Sequence, residues 1–162
     1  MALDLPADLQ LSPIDGDARS LEGWLTTFHL ASVVIDPYTN QSAWVLHTAA
    51  RILREFRDAD VRVNFIVTSD ADDARAFLGP LASEFLVFAD PTRAAVRALG
   101  IAQLPAFVFI QADRTVQASA EGWDPLAWRR VADSIATATS WSRPSIPERG
   151  DPAPFAGTPA LG

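Results

Sequence analysis

Cysteine is absent from this chain of 162 residues. Without a thiol, the chain forms no disulfide bond, presents no thiolate nucleophile and offers no thiolate ligand to a metal ion. Lysine is absent as well, so all 13 cationic side chains are arginines. Whatever the fold, the function has to operate without thiol chemistry.

Long apolar runs and excess positive charge are also lacking. No segment approaches the roughly 18 consecutive apolar residues of a membrane span, and the first residues lack the basic and apolar regions of a signal peptide. The net charge is -7. Nucleic acids and anionic membranes attract positively charged proteins, so neither is an expected partner. We expect a soluble, cytoplasmic protein.

The length and the 49% hydrophobic content are those of one ordinary domain. Residues 1–16, rich in proline and aspartate, are interpreted as a lead-in, and residues 17–140 as the domain. Residues 141–162 carry a proline every few positions, which excludes a helix or central strand and predicts an extended tail.

Hydrophobic periodicity predicts that helices and strands alternate along the domain. Such an order is typical of an α/β sandwich, with a mostly parallel sheet covered on both faces and antiparallel strands added by a closing hairpin. The predicted elements are helices over 17–29, 42–58, 70–79, 91–99 and 124–139, strands over 33–35, 61–67 and 85–88, and a hairpin of 107–110 with 115–118.

The segment FADPTRAAVRALGIAQLPAFVFIQADRTVQASAEGW, residues 88–123, resembles the C-terminal half of thioredoxin-like proteins. The likeness is to the branch that contains thiol reductases and peroxiredoxins, and it spans about residues 32–139. It implies a thioredoxin-like fold, an α/β architecture with a central mixed sheet flanked by helices and a cis-proline before the hairpin. The motifs that carry it are Asp90-Pro91, Gly100-Ile101, Leu104-Pro105-Ala106, Asp113-Arg114 and Gly122-Trp123.

The resemblance places the active-site cysteines of the family at residues that carry no sulfur. The first cysteine falls at Ser42 or Ala43, and the second at Val45 or Leu46. A serine oxygen cannot replace sulfur in thiol–disulfide exchange, and aliphatic side chains cannot resolve a mixed disulfide. The redox activity of the family is therefore not expected here.

The resemblance also implies a groove in which an extended peptide can lie beside the cis-proline. An alternative interpretation is that Trp44 packs in the core. The polar run before it would then merely cap a helix, through Thr39, Asn40 or Ser42. The residues of the candidate groove are Tyr38, Thr39, Asn40, Gln41, Ser42 and Trp44 on one wall, and Gln103, Leu104 and Pro105 on the other.

Two functions are compatible with this reasoning. The first is a non-catalytic module that binds a protein or peptide through the groove, or through the tail with Phe155 as anchor, and self-association is a further option. The second resembles the glutathione transferases, with the hydroxyl of Ser42 or Tyr38 activating the thiol of a bound cofactor. Those enzymes append a large helical domain, for which the residues after Thr139 are too few. We therefore favour a binding module without enzymatic activity or cofactor.

The remaining candidate residues carry weaker signals. His47 follows Ser42 by five positions, but a productive Ser-His pair needs direct contact and an orienting group. His29 and His47 have no metal-ligand spacing, and no glycine-rich phosphate loop occurs. Trp123 and Trp128 are expected to anchor the core, and Trp141 to hold the tail.

Overall fold

A mixed eight-stranded sheet forms the centre of the computed structural model, which describes residues 3–162. Its strands are β1 (Leu3–Asp4), β2 (Gln10–Pro13), β3 (Arg19–Ser20), β4 (His29–Ile35), β5 (Val61–Val67), β6 (Leu86–Ala89), β8 (Ala106–Ile110) and β9 (Thr115–Glu121). In space they follow the order β1-β9-β8-β4-β5-β6-β2-β3. The central strands β4, β5 and β6 are parallel, and the other pairs are antiparallel. Two further short strands, β7 (Gln103–Leu104) and β10 (Thr158–Pro159), pair with each other outside this sheet.

Helices cover both faces of the sheet. They are α1 (Leu21–Trp24), α2 (Asn40–Glu55), α3 (Ala71–Leu78), α4 (Leu81–Glu84), α5 (Ala94–Leu99) and α6 (Pro125–Thr139). Buried side chains of α2, α3, α4 and α6 pack in one core cluster with Val33 and Phe107 of the sheet, and those of α1 and α5 pack in a second cluster with Leu30 and Val108. No helix among the described residues is long and apolar enough to cross a membrane.

Helix α6 begins as the sequence predicts, whereas α5 does not. Asp124 accepts a hydrogen bond from Ala127 N at 3.3 Å, and Pro125 occupies the first turn of α6. The prediction that Pro91 begins α5 is wrong, because the helix starts three residues later, at Ala94. The reason is Asp90, whose carboxylate reaches past the turn to accept hydrogen bonds from two amides of that helix.

The predicted helix over 17–29 is also wrong, since only the single turn of α1 forms. β3 at Arg19–Ser20 pairs with β2, so α1 starts only at Leu21, and β4 starts at His29 and pairs along its whole length with β5. The same pairing makes the predicted strand over 33–35 too short. Leu21, Trp24 and Leu25 of this segment are nevertheless buried in the core.

The lead-in and the tail both contribute to the core of the protein. β1 pairs with β9, and β2 pairs with β6, so the sheet begins before residue 17. The tail is extended and crosses α2, where the indole of Trp141 donates to Glu55 O at 2.6 Å. Ile146 of the tail is only 3% exposed and belongs to the larger core cluster. Trp123 and Trp128 are fully buried, as predicted for core anchors.

We expect Ile146→Ala to lower the free energy of unfolding by about 2–4 kcal/mol, because it leaves a cavity in the core. The matched control is Leu161→Ala in the same tail, since Leu161 is 57% exposed. Urea unfolding followed by tryptophan fluorescence measures both. Equal effects of the two substitutions would show that the tail does not pack as described.

Candidate functional site

The turn after β4 buries the hydroxyl of Ser42, one of the two residues at which the sequence resemblance places the first cysteine of the family. Ser42 is fully buried, and its Oγ accepts a hydrogen bond from Asp36 N at 2.9 Å. Thr39 occupies the N-cap position of α2, but its hydroxyl donates to Asp36 O at 3.2 Å and makes no capping bond to the helix. Both hydroxyls therefore hold the turn together, and that of Ser42 is shielded from solvent.

Tyr38 lies at the same turn with its side chain 64% exposed. Its hydroxyl donates to the Asp73 carboxylate at the start of α3. This hydrogen bond, with the nearby charges of Asp73, Asp70 and Asp36, raises the pKa of Tyr38 to about 12, because all of them favour the neutral phenol. The phenol is thus a weaker acid than a free tyrosine and bonds to α3.

Trp44 is 56% exposed, so the interpretation that it packs in the core is wrong. It lies on the first turns of α2 and meets Phe155 of the tail edge to face, with ring centroids 5.5 Å apart. Asn40 is exposed and Gln41 half-buried, and their side chains form no hydrogen bond within the described part of the chain. Trp44 is therefore the groove residue on this wall with a partner in the tail.

The opposite wall is the short strand β7 before Pro105, and the Leu104–Pro105 peptide bond is cis. One carboxylate oxygen of Glu121 accepts hydrogen bonds from Ala102 N at 2.9 Å and Gln103 N at 2.8 Å. These bonds fix the loop in place. The other edge of β7 faces the tail of the chain.

The tail of the same chain occupies that edge. β10 pairs antiparallel with β7, so that Thr158 lies opposite Leu104 and Pro159 opposite Gln103. Ala160 N donates to Ala102 O at 2.9 Å and extends the pairing by one residue. We call residues 155–160 the tail segment. It lies where the sequence predicts a bound peptide, and sequence reasoning missed this contact between the tail and β7.

Two glycines allow the backbones to approach closely. A Cβ on Gly157 would lie 2.6 Å from Leu104 O, and one on Gly122 would lie 2.8 Å from Phe155 O. Real Cβ atoms do not come so near to a backbone carbonyl, so both positions exclude larger residues. Gly157 in a proline-rich stretch is the sequence signal that could have indicated this contact.

Arg93 is a further residue of the site that sequence reasoning missed. Its backbone is left-handed, with φ of 61°, and its guanidinium lies 3.1 Å from a carboxylate oxygen of Asp36, which is only 5% exposed. The same guanidinium donates to Ala160 O. Arg93 therefore links the buried acid at the end of β4 to the tail segment.

A second set of contacts holds the tail before it reaches the groove. Asp151 forms an ion pair with Arg51 at 2.7 Å and accepts a hydrogen bond from Thr48 at 2.9 Å, both on α2. The Trp123 indole donates to Pro152 O at 2.8 Å, and the Trp123 backbone exchanges two hydrogen bonds with Phe155. We call the contacts that residues 141–152 make with the rest of the chain the clasp; those of Phe155 belong to the tail segment.

The weaker candidates do not form a site. Ser42 hydrogen-bonds to Asp36 and Thr39, and no hydrogen bond joins it to His47 within residues 3–162. No group of three or more histidine or acidic residues suited to a metal ion occurs in the described part of the chain. An open cavity of about 620 Å³ lies between the tail and the start of α6. Its lining is Trp123, Asp124, Pro125, Leu126, Pro147, Pro154, Phe155 and Ala156, a mostly apolar set that offers no cation to a charged cofactor.

Comparison with known proteins shows the fold. No protein-family model matches the chain, and no curated protein does. Among solved structures, a protein assigned as the thiol:disulfide interchange protein DsbE of Chlorobium tepidum is similar with a TM-score of 0.67 and 16% identity, over 85% of this chain and 96% of that chain. Peroxiredoxin Q of Xanthomonas campestris is similar with a TM-score of 0.66 and 15% identity, over 85% and 96%.

A hypothetical protein from Sinorhizobium meliloti 1021 matches over 99% of this chain and 94% of its own, with a TM-score of 0.65 and 16% identity. Identities this low show the fold alone. The chain thus has a thioredoxin-like fold, with a central mixed sheet flanked by helices, as the sequence resemblance implied, and it contains no cysteine.

Tyr38 is the only tyrosine of the chain, so its ionisation can be followed by the absorbance of the phenolate. We expect a midpoint at about pH 12 for the wild type. In Asp73→Ala the midpoint should fall toward the usual value of about 10, because the acceptor carboxylate is lost. Asp72→Ala on the same helix is the control, with circular dichroism to confirm folding. A wild-type midpoint near that of free tyrosine would contradict the Tyr38–Asp73 bond.

Gly157→Ala tests the contact between the tail segment and β7. The added methyl would clash with Leu104 O, so amide hydrogen exchange of residues 155–160 should become faster by about tenfold or more, while β4 and β8 stay protected. Mass spectrometry of peptic fragments provides the measurement. The control is Gly23→Ala, where the new methyl would lie 3.4 Å from Ser20 Oγ, an ordinary van der Waals contact. Unchanged exchange in the tail would refute the described pairing.

Proposed function

We propose that this chain is a non-catalytic binding module that holds an extended protein segment along β7, next to Pro105. The observation that carries the proposal is the position of the tail segment, which lies there in antiparallel pairing with β7. An edge strand that accepts one extended backbone offers the same hydrogen bonds to another, and main-chain pairing of this kind is a common way of binding peptides.

The chemistry of the turn after β4 supports a role without catalysis. The resemblance places the first cysteine of the family at Ser42 or Ala43, and the Ser42 hydroxyl is buried and bonded to Asp36 N. Reduction of a disulfide or a peroxide requires a thiolate, which this chain lacks. What the scaffold keeps is the shape beside Pro105 and the exposed aromatic ring of Trp44.

The alternative, an enzyme that activates the thiol of a bound cofactor, has less support. Its hydroxyl should reach the ligand and stabilise a thiolate. The Ser42 hydroxyl is buried, and the Tyr38 hydroxyl is bonded to Asp73 with its pKa raised. The β7 edge is in addition covered by the tail segment.

The expected partner is a protein or peptide. The net charge of -7 disfavours a nucleic acid or an anionic membrane as partner. Tyr38, Asn40 and Gln41 have no hydrogen bond to the tail segment among the described residues, so they lie outside the contacts on which the proposal depends. The cytoplasmic location and the absence of nucleic-acid and membrane partners stay predictions from the sequence.

In the experiment, a peptide with the sequence of the tail is added to the full chain, in which two substitutions have first weakened the contacts of its own tail segment. The released variant carries Phe155→Ala and Gly157→Ala, and the labelled peptide is APFAGTPALG, residues 153–162. We expect the peptide to bind the released variant at least about tenfold more tightly than the wild type, because the tethered tail competes at an effective concentration on the order of millimolar. Fluorescence anisotropy measures both affinities, and circular dichroism confirms that the variant is folded.

Dependence on the groove is tested on the protein side. Adding Trp44→Ala to the released variant should weaken binding of the peptide by about fivefold, since the aromatic contact is lost. His47→Ala is the matched control, because His47 is also exposed and lies on the same helix. The proposal fails if the peptide does not bind the released variant, or if Trp44→Ala and His47→Ala have the same effect.

A further inference from the structure

We propose that the groove selects a segment of another protein by a spaced pattern, namely an aromatic residue, a glycine two positions later and a small residue three positions after the glycine. This inference rests on the proposed function and specifies the partner. The tail segment shows the pattern in Phe155, Gly157 and Ala160. Each of the three positions is constrained by a different contact.

The aromatic position is fixed by contacts of both its ring and its backbone. The ring of Phe155 meets Trp44 edge to face, with an interplanar angle of 84°. Its backbone is held by Trp123, whose N donates to Phe155 O at 2.9 Å and whose O accepts from Phe155 N at 3.0 Å. An aromatic side chain here gains the ring contact in addition to burial, whereas a small residue loses both.

The glycine position is constrained by space and not by backbone conformation. The φ of Gly157 lies outside the left-handed region, so other residues could adopt its conformation. The obstacle is the space, since a Cβ would lie 2.6 Å from Leu104 O and 2.9 Å from the Cβ of Gln103. Neither atom belongs to the far end of a flexible side chain, so any larger residue must move the segment away from β7.

The small position is enclosed at the end of the pairing. Ala160 is 1% exposed and lies in the second core cluster, so a larger side chain would have to displace core residues. Its N–H bonds to Ala102 O, and its carbonyl accepts from Arg93. Its N–H and its carbonyl are thus both bonded at the end of β10, where the chain turns and Gly162 N donates to Pro159 O at 3.2 Å.

The other positions leave the partner free to vary. Ala156 and Pro159 are exposed, and the side chain of Thr158 has only a 3.4 Å contact with Leu104 O. All six residues of the tail segment are uncharged. The guanidinium of Arg93 is paired with Asp36, so it adds no free positive charge that would favour an acidic peptide.

The test compares four peptides on the same released variant. The reference is APFAGTPALG, and two variants change a selected position, as Gly157→Ala or as Ala160→Leu. The fourth is the matched control Ala156→Ser, which adds one heavy atom at an exposed position, as Gly157→Ala does at an enclosed one. We expect the first two changes to weaken binding by at least about tenfold and the control to stay within about twofold, by anisotropy at fixed salt.

A measurement on the wild-type chain makes the result independent of the released variant. Excess reference peptide should accelerate amide exchange in the chain's own residues 155–160, because it displaces them, and the Gly157→Ala peptide at equal concentration should not. Equal affinities of all four peptides would overturn the selection by pattern and leave the binding function intact. Absence of binding by any peptide would instead overturn the proposed function itself.

The tail of a second copy also carries the pattern, so the oligomeric state is measured alongside. We expect a monomer by size-exclusion chromatography with light scattering, since each groove holds the tail of its own chain. A wild-type dimer that Gly157→Ala dissociates would show that the partner is a second copy of this chain. That outcome would overturn the assignment to a segment of another protein.

Discussion

The pairing of a backbone edge beside Pro105 is the constraint around which this site is built. A strand with free N–H and C=O groups has to be covered by solvent, by another chain or by its own chain. Here the Glu121 carboxylate accepts a hydrogen bond from Ala102 N in the loop before β7, and the tail segment pairs with the edge of β7. The glycine at Gly157 follows from this pairing, because only a residue without Cβ fits against Leu104 O. The tail thus has a specific sequence requirement, although its many prolines exclude a helix or a central strand.

The turn after β4 is held by oxygen atoms, in a chain that contains no cysteine. Ser42 supplies an acceptor for Asp36 N, which would otherwise be a buried amide without a partner. Asp36 in turn pairs with Arg93, and Arg93 reaches Ala160 O. A buried ion pair is costly unless its remaining hydrogen-bonding groups are satisfied, and the tail carbonyl satisfies one of them. The turn and the tail segment are therefore connected through two charged side chains.

The elements that the sequence predicts well are those whose signals are local. Asp124-Pro125 begins α6, and Asp70 caps α3, because a capping side chain acts within three residues. The predicted helix over 17–29 failed because β3, paired with β2, and the first residue of β4, paired with β5, place both ends of that stretch in strands. The groove walls could be inferred from resemblance. The covering of β7 by residue 158 was missed, since it joins residues more than fifty positions apart and the local signal, Gly157 within a proline-rich stretch, does not name its partner.

The division of the tail into two parts favours a segment that can leave its groove. The clasp has anchors of its own, in Ile146 within the core and in the Asp151–Arg51 ion pair on α2. Release of residues 155–160 therefore needs no loss of the contacts before residue 152, and the freed segment stays tethered beside its groove. A tether keeps the local concentration of the competitor high, so only a partner segment that fits well or is itself held nearby can replace it. The three constrained positions would then decide which segments meet that condition.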